Sequence, residues 1–433
     1  MFSKIHNWWQ IVRESMFYVP AVMCGLYAVT SVAVFYIETE VAKDALSSLY
    51  LFRGDMSEAR QLSGILMSSM ITMTTLVVSV TMVVINLSAS QLGPRMIRSV
   101  LSDNKMKFYI GCFFGSVCAC FVLSGILHQL PDNADVPTLT LSYVFLASLV
   151  NLFILLAYVH HLAHLSVADS LVTKVHGDLL RHINQYEGFN DTPDELNRKK
   201  DLPKGFDEKS GHLHSGKSGY VQTIDYEAVK SKAQEEGLVI ELLCKAGDYI
   251  VKGSDVAKVH PENALNPDIE KYISNAIVTG AQRTGSQDIE YSVRHLVEVG
   301  LRALSPGIND NYTAITVMNK LSSALAELFN KSLPSRVYRN DDGKLLAFGK
   351  VASQGDVVFE AFSHIRVAGS DKPDILSQLI RIMAKLIPLA RTECAKDALM
   401  SQLKSLEENI ADLPKSEDSR YLKKRLDELK ALL

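Results

Sequence analysis

Four stretches of this sequence, about 15–37, 62–87, 108–130 and 139–160, contain no Asp, Glu, Lys or Arg. Each reaches or exceeds the ~20 residues that a helix needs to cross a ~30 Å hydrocarbon layer. Lipid leaves no water for exposed peptide groups, so such runs are confined to helices or closed barrels, and their apolar continuity selects helices. Charge is divided to match: 18 Asp, Glu, Lys and Arg residues fall in the first 168 positions and 75 in the remaining 265. This predicts a membrane α-helical domain over 1–168 with four transmembrane helices, a stalk and linker over 169–217, and a cytoplasmic α/β (α+β) domain over 218–433. A wholly soluble enzyme, a disordered chain and a secreted disulfide scaffold are excluded. The net charge of −3 offers no basic excess for nucleic acid. Cys24, Cys112, Cys118, Cys120, Cys244 and Cys394 show no CxxC spacing and fall mostly in apolar runs, so they read as small hydrophobes without a disulfide or zinc site.

Basic residues in the short flanks set the expected orientation. Lys4 and Arg13 precede the first span, Arg95, Arg98, Lys105 and Lys107 lie between the second and third, and Lys174 and Arg181 follow the fourth. The segment Pro131–Thr138 between spans three and four has Asp132 and Asp135 and no Lys or Arg. The first loop is mixed, with Lys43, Arg53 and Arg60 among five acids. Both termini are expected in the cytoplasm, with Trp8 and Trp9 at the interface. The first run lacks an A-x-A-like exit, which predicts a retained anchor rather than a cleaved signal.

The second span is unusual. Ser68, Thr72, Thr75 and Ser79 recur at i, i+4, i+7 and i+11, with Asn86 and Ser90 continuing the face. Hydroxyls at that spacing make pore-lining candidates, offering donors and acceptors without a membrane charge. Small hydroxyl residues also serve close helix packing. Gly93 and Pro94 end the span, and Arg95 and Arg98 are candidates for headgroup contact. His160, His161 and His164 close the fourth span and read as interfacial residues, no acid lying nearby before Asp169.

Beyond Val167 the pattern runs on as a helical stalk to about Tyr186, and Glu187–Lys217 reads as a linker. Strand-like runs are expected at Tyr220–Ile224, Leu238–Cys244 and Ala246–Gly253, with a helix over Tyr226–Gln234. A hairpin is expected from Arg336–Arg339 to Leu345–Phe348 around Asn340–Gly343. Helices at about Gln354–Val367, Ile375–Leu386, Arg391–Ile410 and Glu417–Leu432 complete the chain.

The densest polar constellation spans Arg283 to Thr313. Asp288, His295 and Arg302 are spaced by seven and share a helical stripe, and Glu290/Arg294 and Glu298/Arg302 are i, i+4 pairs. Ser305-Pro306-Gly307-Ile308-Asn309-Asp310 then forces a turn before the next helix. Its side chains suit either a self-capped corner, which base frequencies favour, or a small-anion site at a helix start beside Arg302. There is no GxSxG, GxxxxGK[ST] or HExxH, so no catalytic pattern is complete and no cofactor is implied.

Arg302-Ala-Leu-Ser-Pro-Gly-Ile-Asn-Asp310 with Thr313-Ala314 resembles a family of bacterial predicted membrane proteins of unknown function. The likeness extends to Ser218–Gln222, Gly247-Asp248 with Gly253, Arg283-Thr284 with Gln287-Asp288, and Ser90–Arg95. Asn311 stands where the family pattern has proline, and Gly93 where it has serine. The resemblance implies a membrane architecture in the inner membrane and carries over no catalytic residue. Two readings follow. One is a homo-oligomeric channel or transport-like assembly gated by its cytoplasmic domain. The other is a membrane-anchored sensor or scaffold whose cytoplasmic domain binds a ligand or partner. An enzyme is the weakest class.

Overall fold

The computed structural model describes residues 15–40, 54–92, 103–165, 168–189, 198–334 and 337–432. Two compact units divide the chain, Met1–Leu171 and Val172–Leu433.

The first unit is built on α1 (Tyr18–Glu40), α2 (Met56–Leu92), α3 (Asn104–Gln129) and α4 (Thr138–Leu165). All four are long and apolar enough to cross a membrane. Two begin earlier than their apolar runs. Asp55 and Glu58 cap each other's backbone N–H groups and start α2 at Met56, and Asp103 accepts from Met106 N to start α3. Lys107, read above as a flanking residue, is therefore helical and buried, 2% exposed.

Gly111 and Gly115 let α1 and α3 approach closely, because a Cβ there would come within 2.9 Å of Met23 and 2.7 Å of the Tyr27 ring. The pair forms a GxxxG step seating two residues one turn apart on α1. Two charges hold the connection between α3 and α4. Arg60 donates to the carbonyls of Leu127 (3.0 Å) and Leu130 (2.8 Å) and to Asp132 (2.5 Å). Glu38 accepts from the N–H groups of Leu139 (2.7 Å) and Thr140 (2.9 Å). A cation thus sits at the C-terminal end of α3 and an anion at the N-terminal end of α4, each where the helix dipole favours it. This accounts for the mixed charge of the first loop.

The second unit takes in most of α5 (Ala168–Ile183) and continues with the four-residue α6 (Arg198–Asp201), β1 (Gly211–His214), β2 (Gly219–Ile224), α7 (Tyr226–Glu236), β3 (Val239–Leu242), β4 (Tyr249–Ile250), β5 (Asp255–His260), α8 (Pro267–Ala276) and β6 (Ile277–Gly280). Then come α9 (Ile289–Ala303), α10 (Asn311–Leu328), β7 (Val337–Arg339), β8 (Leu345–Gly349), α11 (Gln354–Ala368), α12 (Pro373–Leu386), α13 (Glu393–Ala411) and α14 (Glu417–Leu432). A five-stranded sheet runs β1-β5-β3-β8-β7 and a three-stranded sheet β4-β2-β6. The fold is α+β: β3 and β8 pair in parallel, and the other neighbours are antiparallel. Ile240, Leu242, Ala257, Val259 and Ala347 bury the core of the larger sheet.

The stretch 169–217, read as stalk and linker, contains β1, whose single large apolar residue Leu213 gives too little alternation to reveal a strand. The strand expected over Ala246–Gly253 shrinks to Tyr249–Ile250, because Gly247 (φ 95°) and Gly253 (φ 88°) turn the chain on either side. Arg336 lies outside the described residues.

Candidate functional site

On α2 the hydroxyls form two stripes, not one. Ser68, Thr72, Thr75 and Ser79, the residues singled out from sequence, are exposed on the surface of the unit, as is Asn86. Each hydroxyl donates to a carbonyl of its own helix four residues back, at 2.8–2.9 Å. A hydroxyl satisfied in this way is tolerated by lipid and remains an acceptor. The other stripe, Ser63, Thr74 and Thr81, is buried in the bundle. Arg95, Arg98 and the side chains of Ser90 and His164 lie outside the described residues.

The interior stripe meets polar groups from α3 and α4. Thr81 and Tyr158 share a short hydroxyl–hydroxyl bond. Asn151, 0% exposed, donates from Nδ2 to Ser116 Oγ at 2.5 Å, while its Oδ1 has no partner. Ser63 Oγ is likewise buried without a partner. At one end of the bundle His161 Nε2 lies 3.0 Å from Asp103 Oδ1, the same carboxylate that caps α3, with both side chains largely buried. The Tyr109 ring packs edge-on against both His161 and Tyr158. Sequence reasoning passed over Asn151 and Asp103 although each has a visible signal: an amide in a long apolar run, and an acid just before one.

In the second unit Asp288 lies just before α9 as its N-cap, and His295 and Arg302 lie within the helix. Asp288 caps α9 by accepting from Tyr291 N at 2.9 Å, and it is clasped by Arg283 through Nε (2.8 Å) and Nη2 (2.7 Å). Arg302 lies fourteen residues on, about 21 Å along the helix at 1.5 Å per residue. The Asp288 carboxylate is nearly inaccessible, and Gly247 backs directly onto it, since a Cβ there would fall 2.2 Å from Oδ2. Glu290 pairs with Lys245 rather than Arg294, which reaches Glu360 at 2.9 Å. Gln287 exchanges two hydrogen bonds with the backbone of Ile224, and Gln222 donates to Gln282 O. Gly219 approaches Gly280 so closely that a Cβ would lie 2.9 Å from its carbonyl oxygen. The residues that carry the resemblance between 218 and 288 therefore gather where the three-stranded sheet meets the start of α9.

The end of α5 joins this knot. His182 Nδ1 lies 3.0 Å from Ser292 Oγ, and the Tyr186 hydroxyl 3.4 Å from His182 Nε2. Burial pushes the Tyr186 phenol up to about 12, helped by Asp288. Burial also holds His182 below the usual imidazole range, an effect that Asp288 opposes. His176, 8% exposed with Nε2 unpartnered, is lowered by burial and then by Lys320.

The corner is self-capped. Asp310 accepts from Thr313 N (3.0 Å) and Thr313 Oγ1 (2.6 Å), and the hydroxyl bond is the main cause holding its carboxyl below the usual range. Ser305 Oγ donates to Arg302 O, and Asp310 N to Ala303 O. Asn309 takes φ 50°, a conformation that asparagine tolerates better than most residues, and accepts from Lys372 Nζ at 2.5 Å. Beside it lies a cavity of about 480 Å³ lined by Leu301, Leu304, Pro306, Asn309, Asp371 and Lys372 among others. Elsewhere, His212 and His214 on β1 each place Nδ1 2.7 Å from a different oxygen of Asp255 on β5, clamping an edge strand. Among the described residues no group of three His, Cys, Asp or Glu side chains is arranged to hold a metal ion.

An uncharacterized protein of Mycobacterium tuberculosis (strain H37Rv) is 27% identical over 352 residues, covering 79% of this chain and 66% of that protein. An uncharacterized protein of Mycobacterium bovis matches with the same figures. The chain thus aligns with just under two thirds of the length of these relatives. No solved structure matches it. The profile of the family described as predicted membrane protein (DUF2254) matches residues 13–385, taking in all four spans and much of the second unit, and the chain belongs to that family.

Proposed function

We propose that this protein resides in a bacterial inner membrane with both termini in the cytoplasm. Its copies assemble so that the outer face of α2 lines a path through the bilayer, gated by the C-terminal domain. One observation carries the reading: Ser68, Thr72, Thr75 and Ser79 form an exposed polar stripe, while a separate set of hydroxyls on the same helix serves the bundle interior. A helix needing hydroxyls only to pack its own bundle has no use for the outer set. The basic flanks of the spans support the orientation.

The test is potassium or chloride flux in liposomes holding the purified protein. Wild type is expected to exceed protein-free vesicles, and the Thr72→Leu/Thr75→Leu double variant to lose the excess. Flux indistinguishable from empty vesicles ends the reading.

The cavity beside Asn309 and Lys372 favours a second reading, a membrane-anchored sensor or scaffold that binds a small anion there. Saturable binding of inorganic phosphate by the full-length protein, abolished by Lys372→Ala, is its expected signature. Equal binding by wild type and variant removes the site.

A further inference from the structure

We propose that the interior of the four-helix bundle is a proton path within each subunit, with Asp103–His161 as its proton-exchanging end and Asn151–Ser116 as its mid-membrane station. The inference is independent of the assembly reading, which concerns the outer face of α2.

The argument begins with position. Asn151 lies eleven residues along α4 from Thr140, about 16 Å at 1.5 Å per residue, near the middle of a ~30 Å hydrocarbon core. An amide there is costly unless both ends are bonded, yet only Nδ2 is: it donates to Ser116 Oγ at 2.5 Å, and Oδ1 is buried without a partner. Ser63 Oγ, about 10 Å along α2 from Met70 at that same rise, is also buried and unpartnered. Met70 Sδ is itself 3.7 Å from Asn151 Nδ2, which sets Met70 level with Asn151 and Ser63 about 10 Å further along the bundle. Water inside the bundle would complete the bonds of these two oxygens, as internal water does for buried polar groups.

Toward the other end the polar groups continue. Tyr158, about 10 Å beyond Asn151 on α4, shares its hydroxyl proton with Thr81. The Tyr109 ring bridges Tyr158 and His161, and His161 Nε2 meets Asp103 at 3.0 Å. An ionisable pair with both side chains largely buried in a spanning bundle is a functional-site candidate. A carboxylate facing an imidazole has the parts for exchange. A proton passes from the Asp103 carboxyl to His161 Nε2, the O–H bond breaking as the Nε2–H bond forms, while the Nδ1–H bond breaks and a water molecule takes up that proton, so that one proton moves on and Asp103 is left as the carboxylate.

The same interior disfavours larger ions. Phe113, Leu123, Leu127 and Leu141 are wholly buried apolar side chains, which offer a metal cation no ligands. A proton needs only hydrogen-bonded oxygens and intervening water.

The experiment uses full-length protein in liposomes loaded with a pH-sensitive dye, with a potassium gradient and valinomycin driving proton entry. Wild-type vesicles are expected to acidify faster than protein-free ones. Asn151→Leu removes the mid-membrane station and His161→Gln keeps a donor toward Asp103 without the second ring nitrogen. Both are expected to fall to the protein-free rate, while Leu152→Ala, at an exposed apolar position of α4, leaves acidification unchanged. Gel filtration and thermal unfolding in detergent establish that each variant is folded. Wild-type acidification no faster than empty vesicles overturns the proposal, as does a wild-type rate in either folded interior variant. Loss in Thr72→Leu/Thr75→Leu with retention in both interior variants also overturns it, and assigns the path to the outer face of α2.

Discussion

Two polar clusters of this molecule, one in each unit, treat buried side chains in opposite ways. At Asp288 the groups that meet are spent on one another: the carboxylate is shared between Arg283 and the first turn of α9, Gln287 is doubly bonded to Ile224, and Gly247 closes the remaining space. In the membrane bundle Asn151 and Ser63 keep bonding capacity that no neighbour uses. A fully engaged network acts as a rivet, and its removal is felt as lost stability. An under-engaged network costs stability to keep, so its removal is felt elsewhere.

That contrast is sharpest for Asp288→Ala, which strands Arg283 and uncaps α9. A loss of about 3 kcal/mol is expected from the full-length protein in denaturant titration. Asn151→Leu in the bundle is expected to leave the unfolding midpoint unchanged or raise it, and an equal loss there would break the distinction. Gly247→Ala comes next, at about 2–3 kcal/mol, because the left-handed backbone penalises any Cβ and this one would collide with Asp288. Asp310→Ala removes a self-contained cap and is expected to cost about 1 kcal/mol. Acidification is expected to do less. Burial holds His176 and His182 below their usual range, so the unfolded chain takes up protons first as pH falls through about 6.5. The stability they contribute is complete above that pH and lost below it, read as a lower melting temperature at pH 5.5 than at 7.5. His176→Gln is expected to flatten part of that slope. Thr72→Ala on the outer stripe is expected to stay within about 0.5 kcal/mol, since its hydroxyl bonds only to its own helix.

The four spans were legible because hydropathy over twenty residues is additive and needs no partner. Which face of α2 turns inward was not, because Ser63, Thr74 and Thr81 are chemically the same as Ser68, Thr72 and Thr75. Only the seats offered by α3 and α4 separate them. Asp288 reads as a stripe member because a spacing of seven is shared by helix faces and by caps lying just outside a helix. Its relation to Tyr291, three residues on, was the better sign. Strand β1 hid behind one large apolar residue, and β6 behind a short run continuous with α8. The step from Gly111 to Gly115 was readable and unread, since it announces close approach but not which helix approaches. At the corner the sequence carried the caps themselves, and Asp310 with Thr313 sits as a turn before a helix requires.

The parallel pairing of β3 with β8 joins Ile240–Leu242 to Ala347–Gly349, about a hundred residues apart in the chain. During translation β3 can gain β5 within a few residues of its own emergence, but its opposite edge stays open until β8 leaves the ribosome. Throughout that interval an apolar strand flanked by a single neighbour is a template for foreign strands. A nascent chain arrested between α10 and β8 would therefore be a substrate for chaperones, tethered by helices already threaded into lipid.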